Sequence, residues 1–348
     1  MNQLRRILAG CLFFLFLASC NIPTGIASGR TPEPATATET PPALIGATAE
    51  VPRPTPTAAV PGTIENPVIL ALPPGSSANT ERIEAGKAFA EQLSEVTGYK
   101  FVVVAPESYA KLVDALGKGN AHIAVLPDYA YALAYEKGYA NAAFASLKSG
   151  EKAYGAQFIA RKDAGFESYF DAQTEENTAD AATALSQFRD KKPCWSDETS
   201  PSGYVIPSGI LAYNDVPLRP PAFVQGQPTV VRAVYVGGIC DFGATYIDAR
   251  GFPAVLDEYP DTLERVHVIW RIPPVIPYEI FVIARSLPPE MVQALEDAMF
   301  RISGMQAGRQ VLGQAYGIEE WERITDAFYE GFRLYLDASG IDLESLLN

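Results

Sequence analysis

Histidine is nearly absent from this chain. Only His122 and His267 occur in 348 residues, beside four cysteines, four methionines and three tryptophans. A histidine-based active site or a zinc centre has almost nothing to work with, and no Cys/His cluster has metal-ligand spacing. No nucleophile–base–orienter set can be assembled either, which argues against an enzyme. His267 lies in the strand-like alternation Arg265-Val-His-Val-Ile-Trp270, where a histidine is more often structural than a base. Positive charge is scarce too, with 27 basic against 41 acidic residues and a net charge of −14. That balance excludes nucleic acid as a natural partner. No motif calls for a cofactor or a metal.

What is present begins at the N-terminus. Residues 1–19 read as an export leader: Arg5 and Arg6 form a basic start, and Ile7 to Leu17 is an apolar core. That core is shorter than the roughly 20 residues needed to span a bilayer. Leu17-Ala18-Ser19-Cys20 supplies a small-residue cleavage site, and its order resembles the bacterial lipobox, which makes Cys20 the expected lipidation site. An ordinary signal peptide with a chance cysteine is the competing reading. Residues 20–65 are rich in Pro, Thr and Ala. They bury too little apolar surface to offset their ordering entropy, so a disordered tether is expected. A flexible coil of this length reaches roughly 40 Å from a membrane.

Loss of the leader removes Arg5 and Arg6, leaving 25 basic against 41 acidic residues and a net charge of −16. Long-range steering then repels an anion, so any anion site has to be built locally. Cys11 leaves with the leader and Cys20 takes lipid, so Cys194 and Cys240 remain as an even pair in an oxidising compartment. A disulfide is expected between them, with two separate buried thiols as the alternative. If Cys194 ends one strand and Cys240 opens its neighbour, the bond lies at the cleft end of that sheet.

The roughly 280 residues from Ile64 onward fit one large or two medium domains. Strand-like runs at Pro67–Leu72, Phe101–Val104 and Ile123–Leu126 alternate with helical patterns. One of these helices has Phe89, Leu93 and Val96 on its face and Gly98 as its stop, and another has Ser108 as its cap. Such alternation predicts parallel pairing through crossovers. A second series has strands at Gln157–Ala160, Pro193–Ser196 and Ile239–Ala244, and a helix opening at Ser202-Gly203. Thr229–Val236 has strand propensity, yet Pro228 suits a first helical turn and Gly237-Gly238 a stop, which predicts helix. The chain continues through Val266–Ile269 and the rigid segment Ile272–Pro277, and from about Pro288 it reads as mostly helical.

Ser200-Pro-Ser-Gly-Tyr-Val-Ile-Pro207 resembles the Ser-Thr-Ser-Gly-Tyr-Leu-x-Pro segment of phosphate/phosphite/phosphonate-binding proteins of ABC importers. Further matches follow in the same order along nearly the whole domain. They include Leu93-Ser-Glu-Val-Thr-Gly98, Tyr109-Ala-Lys-Leu-Val-Asp-Ala-Leu116, Cys240-Asp-Phe-Gly-Ala-Thr245 and Ile276-Pro-Tyr-Glu279. The resemblance implies an α/β, two-lobed periplasmic-binding-protein-like fold (type II), each lobe a mostly parallel sheet flanked by helices, with the ligand cleft between. Residues 66–156 and 273–348 would form lobe 1 and 157–272 lobe 2. It implies a solute receptor whose partners are a small anionic or zwitterionic solute, an ABC transporter permease and, through the lipid, a membrane. A ligand-sensing lipoprotein that reports to a membrane receptor has the same fold and is the alternative. A tyrosine-based iron site is a remote one, since no spacing among the tyrosines picks it out.

The anion grip falls at Ser200, Ser202 and Gly203. Hydroxyls, a Gly that permits close approach and free N–H groups meet there at a positive helix end. Two departures weaken the match. Pro201 replaces the family's Thr, removing a hydroxyl and an N–H donor. Gln227 stands where the family has a histidine and can donate only as a neutral amide. A less charged phosphonate, a sulfonate or a carboxylate therefore enters as an alternative to a phosphonate dianion. Asp248 and Glu279 occupy positions comparable to the acids that hold the ligand amine in aminophosphonate binders; the other reading makes them solvated rim charges. Tyr109 and Tyr154 resemble family tyrosines lining the first lobe.

Overall fold

The computed structural model describes residues 60–347; the leader, Cys20 and the tether up to residue 59 lie outside the described residues. The strands, in chain order, begin with β1 (Val68–Ala71), β2 (Phe101–Val104), β3 (Ile123–Leu126), β4 (Ala140–Ser146) and β5 (Ala153–Arg161). A small hairpin follows, β6 (Phe170–Asp171) and β7 (Glu176–Asn177), then β8 (Pro193–Trp195), β9 (Ala222–Phe223) and β10 (Phe242–Tyr246). The last are β11 (Val266–Pro277), β12 (Ile280–Ala284) and β13 (Trp321–Arg323). One sheet has the order β13-β4-β12-β3-β1-β2 and the other β11-β5-β10-β8-β9.

Each sheet is buried on both faces by helices. In β3, Ile123 and Val125 face the helices Thr80–Thr97, Pro289–Gly304 and Gln306–Tyr316 through Phe89, Leu93, Leu295 and Leu312. Ala124 and Leu126 face the opposite cluster, which holds Leu112, Leu116 and Tyr131. The alternation is the period-two consequence of the pleat. On the second sheet, Phe158, Trp195 and Phe242 pack with Phe188 and Ile210, while Ile159 and Cys194 pack on Val230 and Val234. The larger cluster takes in residues of both sheets.

Parallel pairing holds where strands are joined by helices, at β1–β2, β1–β3, β8–β10 and β8–β9. The remaining pairs, β3–β12, β4–β12, β4–β13, β5–β10 and β5–β11, are antiparallel, so the sheets are mixed rather than mostly parallel. The cause is a ribbon. β4 runs from the first sheet into β5 of the second, and β11 runs back into β12 alongside it. Ala145 faces Ile280 at one end of the crossing and Ala153 faces Pro277 at the other. Two chains crossing together in opposite senses must pair antiparallel.

Local differences from the sequence pattern have identifiable reasons. Thr229–Val236 is helical, within Gln227–Val236, because the buried face of Val230, Val231 and Val234 outweighs β-propensity. Val96 is 36 % exposed at the end of its helix and is not part of the buried face. Ile272–Pro277 is no separate rigid segment but the end of β11. Pro273 and Pro274 are tolerated because β11 is an edge strand whose register breaks between Ile272 and Ile276. The strand expected from Ile239 begins only at Phe242, since Gly237 and Gly238 turn the chain with φ of 77° and 84°.

Cys194 and Cys240 are bonded, with Cα atoms 5.5 Å apart. Their position differs from the expectation. Phe242 pairs with Pro193 and Gly243 with Cys194, so Cys240 precedes the start of β10 and the bond ties the amino-end side of the two strands, away from Ser200. A cross-link spanning 46 residues stabilises by about 4 kcal/mol on the loop-entropy account. Cys240→Ser is expected to lower the unfolding free energy by about that amount in denaturant titrations, while an unchanged midpoint would mean the bond adds nothing.

Candidate functional site

Tyr109, Ser200 to Gly203, Gln227 and Asp248 follow the carboxyl ends of β2, β8, β9 and β10, where open α/β sheets place their ligands, while Tyr154 and Glu279 lie at the crossing between the sheets. After β8, Ser196 to Ser200 lead into a π-helical turn, Pro201–Val205, that continues as the α-helix Ile206–Tyr213. Ser200 caps it: its Oγ accepts the Gly203 N–H at 3.1 Å. Pro201 takes the first helical position, where a missing N–H breaks no helical bond. Gly203 is required by space. A Cβ there would stand 2.0 Å from the Ser196 Oγ and 2.9 Å from the Ser200 Oγ. The turn is thus clamped on the end of β8, with the Ser196 N–H donating to the Gly203 carbonyl at 3.2 Å.

Gln227 organises these groups. Its Nε2 donates to Ser202 Oγ at 2.8 Å and to Ser200 Oγ at 3.3 Å, and its Oε1 accepts the Tyr246 N–H. An amide whose N–H groups are spent on two serines positions those serines rather than donating to a solute. Ser200 Oγ already accepts twice, so its own hydrogen is left to donate. The Ser202 hydroxyl hydrogen-bonds Tyr154, and its N–H meets no acceptor among the described residues. The Ser196 hydroxyl, fully buried against Gly203, also has no partner. Donors without acceptors, gathered at a helix N-terminus, make a place for an oxyanion.

Glu279 sits at the crossing between the sheets. Its carbonyl accepts the Ser146 N–H, and its carboxylate takes the Ser146 hydroxyl at 3.3 Å and Lys148 Nζ at 3.2 Å. Tyr109, opening the helix after β2, is pushed up by burial and then by the Glu279 charge. Tyr154 is pushed up by burial and then by Asp128, and stacks on Tyr278 at 5.3 Å. Tyr154 belongs to β5, opposite Ile276 of β11, at the end of the crossing nearest the second sheet. The structure therefore gathers Ser200, Ser202, Gly203, Gln227, Tyr154, Tyr109 and Glu279 into one linked group.

Asp248 stands apart. Arg250 holds both its carboxylate oxygens at 2.6–3.1 Å, and Gln157 Nε2 donates to it at 2.6 Å. Burial pushes this carboxyl up, but the Arg250 hydrogen bonds and charge outweigh it and hold it below its ordinary value. An acid already neutralised by its own arginine is not a counter-ion for a ligand amine. Two residues that sequence reading passed over join the site instead: Ser196, and Asp128 at the start of the helix Asp128–Glu136. Both follow the end of a strand, the one positional signal that could have found them.

His122 is structural, its Nδ1 accepting the Ile69 N–H at 3.0 Å, with burial holding it below the usual histidine value. Among the described residues no group of three or more His, Cys, Asp or Glu could hold a metal ion. A groove of about 1080 Å³ lies elsewhere, near Arg285, Glu296 and Arg323. Its arginines are already bonded, Arg285 to Asn141 and Arg323 to Asp297. Asp248→Asn is expected to lower the unfolding free energy at pH 7 by about 1–3 kcal/mol, without changing solute affinity. Because the wild-type carboxyl is held low, that difference fades as pH drops through its depressed pKa. A loss of affinity at unchanged stability would return Asp248 to the ligand.

The profile of the family described as ABC transporter, phosphonate, periplasmic substrate-binding protein matches residues 73–329. The phosphate-import protein PhnD of Mycolicibacterium smegmatis is 26% identical over 271 residues, covering 72% of this chain and 79% of that protein. Among solved structures, XAC2383 from Xanthomonas citri bound to ATP superposes with a TM-score of 0.53 at 16% identity, covering 80% of this chain and 98% of that one. The two-lobed fold is common to both, and with the profile spanning well over half its length the chain belongs to the family of periplasmic substrate-binding proteins of phosphonate ABC transporters.

Proposed function

We propose that the chain captures a small phosphonate or related oxyanion, carrying an amine, for an ABC permease, and does so as a lipoprotein. Membership of the family of periplasmic substrate-binding proteins supports an extracytoplasmic, solute-binding role. The observation that carries the ligand class is the all-donor character of the serine turn. Gln227 fills the oxygens of Ser200 and Ser202 and the Ser202 hydroxyl is engaged by Tyr154, which leaves the Ser200 hydroxyl hydrogen, the Ser202 N–H and the Ser196 hydroxyl as donors for whatever occupies the cleft. Such a place favours an acceptor-only group. Tyr109 and Tyr154 frame it, and Glu279 supplies negative charge toward the ligand's other end.

Residues 66–156 and 273–348 serve as one lobe and 157–272 as the other, closing on the solute across the ribbon formed by β4–β5 and β11–β12. Residues 1–19 act as the leader, Cys20 as the lipid site and 20–65 as the tether. Among the described residues no helix is long and apolar enough to cross a membrane.

Calorimetric titration against phosphate, phosphite, methylphosphonate, 2-aminoethylphosphonate and taurine tests the solute. 2-Aminoethylphosphonate is expected to bind best and phosphate poorly, since Pro201 and Gln227 leave the turn without a cation. Ser200→Ala should weaken every anion by about 1.5–3 kcal/mol, a charged hydrogen bond being lost. Phosphate as the tightest ligand would replace the phosphonate with the solute named in the M. smegmatis relative, and taurine as the tightest would make the chain a sulfonate receptor. For the anchor, metabolically supplied fatty acid should label the full-length protein and not Cys20→Ala; unlabelled, freely secreted wild type would refute lipidation.

A further inference from the structure

We propose that Asp128 determines specificity in the cleft by binding, together with Glu279, an alkylammonium group at the far end of the ligand. The inference rests on the serine turn holding an oxyanion, as above, and adds which residues read the other end.

Asp128 follows directly on the end of β3, at the first position of its helix. One of its oxygens accepts the Tyr129 N–H at 2.8 Å. No cation pairs with it among the described residues, whereas Asp248 has Arg250 and Asp326 has Arg333. A buried carboxylate without a counter-charge is costly. The cost rises here because the nearby charge is a second carboxylate, Glu279, which disfavours ionisation of Asp128 further.

The surroundings fit an ammonium group. Tyr129 on the same helix, Tyr154 on β5 and Tyr329 in the turn before the last helix all feel the Asp128 charge, and Tyr109, Tyr154 and Tyr278 feel that of Glu279. The hydroxyls of Tyr129 and Tyr329 are buried with no partner. Aromatic faces beside carboxylates attract cations by charge and quadrupole together. Lys148, the one cation on Glu279, has a half-exposed side chain on the segment linking β4 to β5 and does not reach Asp128 within pairing distance. Tyr154 touches both ends, bonding Ser202 and sensing Asp128. The anion and cation sites are thus one side chain apart, and the ligand between them has a short carbon linker.

Burial, with the Glu279 charge, pushes the Asp128 carboxyl up to about 7 against the pull of the Tyr129 N–H. An ammonium ligand stabilises the ionised form, so binding releases a proton below that value and tightens as pH rises through it. The free protein has the opposite dependence. Its raised carboxyl favours the folded state at low pH and loses that contribution as pH climbs from about 4 to about 7.

The test compares wild type with the near-isosteric Asp128→Asn by calorimetry, using 2-aminoethylphosphonate and methylphosphonate from pH 5.5 to 8. Taking the ratio of the two proteins' affinities cancels ionisation of the solutes themselves. For 2-aminoethylphosphonate the wild-type advantage should grow from near unity to about tenfold or more. For methylphosphonate it should stay at or below one. Thermal unfolding of the free proteins should show Asp128→Asn folded and without the wild-type loss of stability toward pH 8. Equal ratios for the two solutes at all pH values, with binding intact, would overturn the role of Asp128 and leave the serine turn standing. Failure of both solutes to bind either folded protein would overturn the serine-turn reading and this inference with it.

Discussion

The constraint that shapes this molecule is its own charge. A chain with 41 acidic residues cannot draw an anion from a distance, and no lysine or arginine bonds the serine turn. The oxyanion site proposed at the serine turn therefore depends on the geometry of neutral donors, and that geometry depends on one carboxamide. Gln227 spans Ser200, Ser202 and the Tyr246 N–H, linking the ends of β8, β9 and β10 through a single side chain. A histidine in its place could add charge; glutamine adds orientation only. The helix start supplies what field there is, and it acts over the short range at which a bound solute sits.

The second dependence is the crossing ribbon. β4–β5 and β11–β12 pass between the sheets side by side, and the backbone bonds Ser146 to Glu279 and Tyr278 to Lys152 fasten the two chains at the crossing. Glu279 and Tyr278 are thus carried by the segment that joins the lobes, while Tyr154 lies just beyond it on β5. Any change in the angle between the lobes moves the anion-holding and carboxylate-bearing residues relative to one another. The last helix, Glu330–Ser339, packs closely on Ile206–Tyr213, where a Cβ at Gly209 would stand 1.8 Å from the Tyr335 carbonyl. Only glycine lets the helix behind the serine turn approach the C-terminal helix this closely.

Much of the architecture was legible because it is local. Ser108 and Ser200 cap their helices, and Pro228 opens the helix whose valines share one buried face. What was not legible was long-range. The mixed sheet order follows from where the ribbon re-enters each sheet, which no short window records. The disulfide pairing followed from cysteine counting, but its end of the sheet did not, because Gly237-Gly238 delays β10 by several residues. The pairing of Tyr154 with Ile276, which sets it beside the crossing, likewise follows from the register of β5 against β11 and not from any local pattern.

The two aspartates show why a residue's role is set by its neighbours rather than its type. Asp248 and Asp128 both follow a strand end and both are partly buried, yet among the described residues only Asp248 has a cationic partner. Arg250 lies two residues from Asp248, and the pair closes on itself in a bidentate contact. Around Asp128 no lysine or arginine occurs between Lys118 and Lys137, and among the described residues the fold brings none within pairing distance. The bare stretch was visible in the sequence as an absence, easily passed over in a chain already poor in positive charge. In the folded protein that absence becomes a physical quantity: an acid titrating near 7 beside a second acid and several tyrosines. A site that withholds its own counter-charge defines its ligand as surely as one that offers donors, and the two kinds of definition meet at Tyr154.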